Sequence, residues 1–231
     1  HLNSLNLSYT GVSGSVEPLA ALSQFDTWEA LHNSFTFTKV TMAHQDADAL
    51  RTFSTSGARE GFGDGFAREL PRWTESNGPG VCFWKHVRCE WVNRRAKALR
   101  VIELSLTNMA LSGNVNVLAP MNALRTFNVS NTSVYGHADV LMHILNYSKW
   151  QQLAPAITDT LVTMAESDTD ALTQFAKSGG AEFLRLLPRW QSGGVCFWRG
   201  VTCELVRDQL RVTALDLHDL PSLTGNIERL A

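Results

Sequence analysis

The sequence predicts an α+β fold: tandem solenoid units of short parallel strands, interrupted by helical, cysteine-closed caps. Three observations carry that prediction. The 231-residue chain is internally duplicated: Leu2, Val12, Trp28, Val40 and Asp48 recur 122 positions later as Leu124, Val134, Trp150, Val162 and Asp170. A Cys-x6-Cys loop with an internal Phe-Trp pair is written twice, at Cys82-Phe83-Trp84 to Cys89 and at Cys196-Phe197-Trp198 to Cys203. Each loop then leads into a leucine-patterned run, Val101-Ile102-Glu103-Leu104-Ser105-Leu106 and Val212-Thr213-Ala214-Leu215-Asp216-Leu217. Alternation of that kind buries one side of a short strand.

Residues 1–24 read as one repeat. Leu5 and Leu7 alternate inward as a short strand, Val12 and Val16 fill the next layers, and Gly14 permits the turn. Thr10 stands where an asparagine ladder would run. Phe25-Asp26-Thr27-Trp28 to Leu31 predicts a helical turn, and residues 35–42 alternate as a strand through Phe35, Phe37, Val40 and Met42. From Asp48 a helix places Leu50, Phe53, Phe62, Phe66 and Leu70 on one face until Pro71 breaks it. The cysteine loop follows, with Trp84, like Trp198 in the second copy, in the cap core. Repeats come next at 101–122 and from Leu124 through Phe127, Val129 and Val134. A helical segment around 141–150 closes the unit. The second copy is shortened by deletions, so Leu-Pro-Arg-Trp recurs at a spacing of 117 and the cysteine loop at 114. The expected divisions are 1–45, the end of a preceding unit with a connecting helix and strand; 46–167, a cap with two repeats and a connecting segment; and 168–231, a second cap with the start of a repeat.

A Cys-x6-Cys loop with an internal Trp, running into Leu-x-x-Leu-x-Leu, resembles the N-terminal cap of an extracellular leucine-rich-repeat solenoid. The form Cys196-Phe197-Trp198-Arg199-Gly200-Val201-Thr202-Cys203 is similar to the caps of plant leucine-rich-repeat receptor ectodomains and of kinetoplastid leucine-rich-repeat surface antigens. The resemblance covers about two thirds of the chain. It implies a protein that works by binding, with the concave strand face as the usual contact surface.

Composition agrees with a packed extracellular protein. Hydrophobic residues make up 44% and there are seven tryptophans, enough for a substantial core. Net charge is −2 and the densest basic stretch is Arg94-Arg95-Ala96-Lys97, which argues against nucleic acid. No apolar run reaches the ~18 residues of a membrane span. The cysteines form two local pairs at equal spacing, read as disulfides Cys82–Cys89 and Cys196–Cys203. Zinc, which favours Cys-x-x-Cys-like clusters, and free buried thiols are the alternatives. Closing such a loop contributes ~2–3 kcal/mol, and the bond persists only in an oxidising compartment. Sequons at Asn6, Asn128, Asn131 and Asn146 point the same way. N-linked glycans are expected; a cofactor or metal is not. His1 follows no initiator Met or signal peptide, which reads as a mature or trimmed segment.

A repeat cannot bury its faces alone, and about three stacked repeats are needed for stability. Leu2, Leu5 and Leu7 on one side, and Leu215, Leu217, Leu223 and Ile227 on the other, are therefore expected to be open layers. Joining them reproduces the internal junction at 113–127. The first functional expectation is a non-enzymatic, N-glycosylated extracellular scaffold whose units stack head to tail into an array or filament, a heterologous contact, with itself as partner. The alternative is a receptor or adhesin ectodomain that binds other surface proteins or glycans on its concave face; an arbitrary boundary within such an ectodomain leaves the same open layers. The outward positions, among them Asn6, Glu103, Asn128, Asp216 and His218, are small or polar and include only Arg125 among the hot-spot types. Asn6 and Asn128 share the central one, where sugar would occupy the face. Catalysis has little support. His137 and His143 read as surface residues, and Asp46, Asp48, Asp168 and Asp170 as helix-start acids in preference to a calcium loop.

Overall fold

The computed structural model describes residues 4–21, 28, 31, 33–36, 38–73, 80–92, 98–147, 149–191, 194–207 and 209–230. Leu2, Phe25, Phe37 and the basic stretch at 94–97 lie outside them. In chain order the strands and helices are β1 (Ser13–Ser15), β2 (Lys39–Thr41), α1 (His44–Arg59), α2 (Gly65–Glu69), β3 (Val87–Val92), β4 (Ala98–Ser105), β5 (Thr126–Asn128), β6 (Tyr135–His137), α3 (Ala138–Ile144), α4 (Trp150–Leu153), β7 (Leu161–Thr163), α5 (Glu166–Ser178), α6 (Gly180–Leu186), β8 (Val201–Val206) and β9 (Gln209–Leu215).

The leucine runs make the rungs. β4 and β5 pair in parallel with Leu104 opposite Phe127, and the ladder extends past both strands. Leu106 N donates to Asn128 O (2.8 Å) and Asn108 N to Ser130 O (3.1 Å). Val129 N then donates to Ala156 O and Asn131 N to Thr158 O, both at 2.8 Å, so the connecting segment adds a third rung at 156–158. On the opposite side of the coil β6 pairs with β7, and an Asn114–Tyr135 bridge carries the same three layers. The first copy repeats the pattern: Leu7 N meets Ser34 O (2.8 Å), Tyr9 N meets Thr36 O (2.9 Å), and β1 pairs with β2. Strand alternation sends Leu104, Leu106, Phe127 and Val129 into the core, none more than 3% exposed.

Each rung leaves its strand through a left-handed residue: Tyr9, Asn108, Asn131 and Asp159 have φ of 59°, 58°, 56° and 54°. Asn and Asp tolerate that region through local hydrogen bonds; Tyr9 is the costly exception. In three rungs the asparagine-ladder position is taken by a threonine that closes the turn within its own rung, while the rung at 101–122 has Met109 there. Thr132 and Thr160 donate to Val129 O (2.6 Å) and Ile157 O (2.7 Å) and accept from Val134 N and Val162 N, both at 3.3 Å. Thr10 makes the equivalent 2.6 Å bond to Leu7 O.

The caps are built from ring stacks behind a tight turn. Ala43 and Ala165, at φ 47° and 44°, send β2 and β7 directly into α1 and α5. A side chain held there costs ~1 kcal/mol or more, and both alanines are buried at 3% exposure or less. Trp73 stacks on Trp84 at 4.9 Å between ring centroids and Trp190 on Trp198 at 5.0 Å. Both Trp73 and Trp190 donate Nε1–H across the cap, to Lys85 O and Arg199 O at 3.3 Å. Each ring pair contributes ~0.5–1.5 kcal/mol beyond its buried area.

Three local expectations are corrected. The alternation over 35–42 yields a strand only at Lys39–Thr41, because Asn33–Phe35 is a 3-10 turn onto which Thr38 Oγ1 closes at Phe35 O (2.8 Å). The cap helix divides into α1 and α2 at Gly61 and Gly63, whose φ values are 85° and 91°. Phe62, between them, therefore leaves the core: it is 49% exposed and lies on Tyr135 at 4.8 Å. Val12 is 37% exposed, whereas its counterpart Val134, with a rung on either side, is fully buried.

Candidate interaction surfaces

The cap fixes the strand face through one ion pair per copy. Asp46, in the first turn of α1, is fully buried and forks onto Arg100 at 2.9 Å (Nε) and 2.7 Å (Nη2), while Val101 N donates to it at 2.7 Å. Asp168 repeats the arrangement on α5, taking Arg211 Nε at 2.9 Å, Nη2 at 2.6 Å and Val212 N at 2.8 Å. The Arg211 hydrogen bonds hold the Asp168 carboxyl below the usual carboxylate range, against an opposing desolvation. The reading of these acids as dipole partners is therefore incomplete: Asp46 and Asp168 bolt helix to strand. Asp48, 76% exposed, pairs with Arg51 at 3.6 Å. The signal was available in sequence as an Arg immediately before Val101 and Val212, but spacing alone does not show which carboxylate reaches it.

On the strand face, β3 lies antiparallel to β4 and adds charges that the leucine pattern does not reveal. Arg88 pairs with Glu90 and with Glu103 (3.3 Å), and Glu90 also takes Arg125 (2.8 Å). Two arginines and two glutamates thus form a connected patch. The second copy has Thr202 where the first has Arg88, and its strand end instead carries Asp216, His218 and Asp219. The His218 hydrogen bond to Asp216 lowers the Asp216 pKa, and the other ring nitrogen of His218 stands 3.0 Å from Asp219. His137 of β6 contacts Glu166 (3.3 Å) and Thr163 (3.1 Å).

The leucine layers of the two copies differ in cover. Leu104, Leu106, Leu111, Val115 and Leu118 are at most 1% exposed beneath the β5 rung. Their counterparts Leu215, Leu217, Leu223 and Leu230 are half-buried, and Ile227 is 75% exposed. Leu5 and Leu7 are likewise half-buried. The third rung is covered by the second cap: Trp150 meets Phe197 edge to face at 5.0 Å, and Asp139 accepts from Leu210 N at 2.7 Å.

Both cysteine pairs are closed, Cys82–Cys89 and Cys196–Cys203, with Cα atoms 5.6 Å apart. Bonds of this kind fit an extracellular or cell-surface setting. Of the sequon asparagines, Asn6 is exposed and Asn128 half-buried, each accepting from the serine N two residues on at 3.0 Å. Asn131 gives its Nδ2 to Asn108 Oδ1 at 2.9 Å, and Asn146 is an exposed turn residue at φ 52°. Among the described residues no three His, Cys, Asp or Glu side chains converge on a metal position, and no helix is long and apolar enough to cross a membrane.

Two segments, residues 43–90 and 165–204, match the family model of the leucine rich repeat N-terminal domain. Both caps are thus similar to leucine-rich-repeat N-terminal domains. Each runs from the left-handed alanine, through the Asp-bearing helix and the stacked tryptophans, to the closed cysteine loop. Among solved structures the chain is similar to the BIR2 ectodomain of Arabidopsis thaliana, at 20% identity and a TM-score of 0.34, over 51% of this chain and 56% of that one. It is also similar to a chain of the BIR3–SERK2 complex from the same plant, at 20% identity and a TM-score of 0.33, over 51% and 58%. The chain thus spans little more than half the length of either. Comparison with curated protein sequences gives no match.

Proposed function

We propose that the protein is a non-enzymatic, extracellular leucine-rich-repeat module that acts by binding protein, and that the leucine layer at 212–230 is completed by a further rung. The observation that supports this is the contrast between copies: an equivalent layer at 101–118 is sealed by a neighbouring rung. A second leucine-rich rung of the β5 kind is therefore the best-fitting occupant. Residues 4–21 are the counterpart of 126–143, so the rung is supplied either by a continuation of the chain or by another copy of it, and in the second case the copies stack head to tail. N-glycans at Asn6, Asn128 and Asn146 are part of the same proposal; Asn131, whose amide nitrogen is bonded to Asn108, is the least suited of the four.

The alternative, a receptor or adhesin that binds through its concave face, is favoured by the Arg88–Glu90–Glu103–Arg125 patch. Its charges are already paired, however, and an incoming partner must displace them. Sedimentation velocity separates the two. Stacking predicts concentration-dependent oligomers that Leu223→Asp with Ile227→Asp abolishes, because a charge facing an apolar layer is left unpaired. A monomer at every concentration removes the stacking reading and leaves the concave face.

A further inference from the structure

The junction of the first unit with the second cap encloses a groove of about 650 Å³. One wall is the succession of rung turns at Asn108, Asn131 and Asp159; the other is Arg189 and Phe197 of the second cap. Met164, buried, underlies it, and Leu161 stands in it 51% exposed. A space of this size suits a small ligand or a short peptide. It exists because a cap follows the third rung and faces its turns.

The two copies show which parts of this place are frame and which are free. Thr160, Met164, Arg189, Gly194 and Phe197 match Thr38, Met42, Arg72, Gly80 and Phe83. The glycines lie close against the methionines: a Cβ on Gly80 would lie 2.4 Å from Met42 Cγ, and one on Gly194 would lie 2.8 Å from Met164 Cε, so the methionine side chain would have to move. The exposed positions, in contrast, change character. Asn131 replaces Tyr9 and Leu161 replaces Lys39. A fixed frame with a variable rim is the arrangement expected where specificity is set by the rim.

We propose that the groove takes an extended peptide segment of a partner protein. An apolar side chain would cover Leu161 and Phe197, an acidic group would pair with Arg189, and the main chain would run along the Asn108–Asn131 wall. The inference rests on the reading that this protein acts by binding protein. Arg189 has no hydrogen-bond or ion-pair partner among the described residues, and neither do Asn108 Nδ2 and Asn131 Oδ1, which the Asn131–Asn108 bond leaves over. Asp159 repels an acid on its own side, so the charge order of the segment is set. A sugar would leave Leu161 in water, and a nucleotide would find only one cation.

The test is a displayed library of random heptapeptides selected on the whole protein, followed by fluorescence anisotropy of an enriched peptide. The expected motif is an acidic residue beside a large apolar one. Leu161→Lys, a residue the equivalent position already accommodates, and Arg189→Glu should each weaken binding by at least about tenfold, whereas Thr126→Arg on the concave strand should change it by less than about twofold. Thermal melts of all three variants confirm that each is folded. No enriched peptide, or a peptide indifferent to Leu161→Lys and Arg189→Glu, overturns the groove proposal. Binding lost to Thr126→Arg alone also overturns it, yet leaves the protein-binding reading standing.

Discussion

Removing the Asp46 carboxylate tests how the cap holds the strand face. Asp46→Ala leaves the Arg100 guanidinium, 10% exposed in its side chain, without its counter-charge and strips the Val101 N–H of its acceptor. Losing one partner of a buried pair costs about 3–5 kcal/mol. For a chain of this length that lowers the melting temperature by about 6–20 °C. The equivalent change at Asp168 should cost clearly less, because the Arg211 side chain is 43% exposed and water replaces the lost bonds. Replacing both partners by apolar residues, Asp46→Leu with Arg100→Met, should recover most of the loss, since the penalty comes from the stranded charge. Guanidinium unfolding followed by tryptophan fluorescence reads all four proteins. If Asp46→Ala proved as mild as Asp168→Ala, or the double variant no better than the single, the bolt would not be buried as described.

Other consequences follow from the same geometry. Because Arg211 depresses the Asp168 pKa, that pair stabilises fully above the unfolded carboxylate value of ~3.9 and the contribution is lost as pH falls through the lower folded value. Melting curves taken from neutral pH downward should show that loss in the native protein and a shallower acid limb in Asp168→Asn. Gly57→Ala should destabilise by about 1–3 kcal/mol through overpacking, since the added carbon would lie 2.1 Å from Ser112 Oγ; a calorimetric melt checks it. Opening the second loop with Cys196→Ser and Cys203→Ser should cost about 2.5 kcal/mol by loop entropy, read as a lower denaturant midpoint that reductant shifts less than that of the unsubstituted protein, because only Cys82–Cys89 is left to open.

The caps and rungs were legible because their physics is local. A Cys-x6-Cys loop, an aromatic pair and a leucine alternation each fix a few neighbouring residues, and duplication confirmed the reading. The third rung was hidden because Ile157 and Leu161 stand at irregular spacing behind Pro155, and only the ladder bonds from Val129 and Asn131 reveal it. Phe62 was misplaced because helical periodicity ignores the two glycines beside it. The Arg88–Glu103 patch and the Asp46–Arg100 pair join residues 15 and 54 positions apart, a separation at which sequence spacing holds no information on contact. The junction groove was invisible for the same reason: its walls come from three rungs and a cap.

Hydrogen exchange across a concentration series tests the central claim most directly. If the leucine layer at 212–230 is the contact surface, amides of β9 should gain protection as concentration rises, while those of β4, already covered by β5, stay unchanged. Equal exchange of β9 at every concentration would contradict the account.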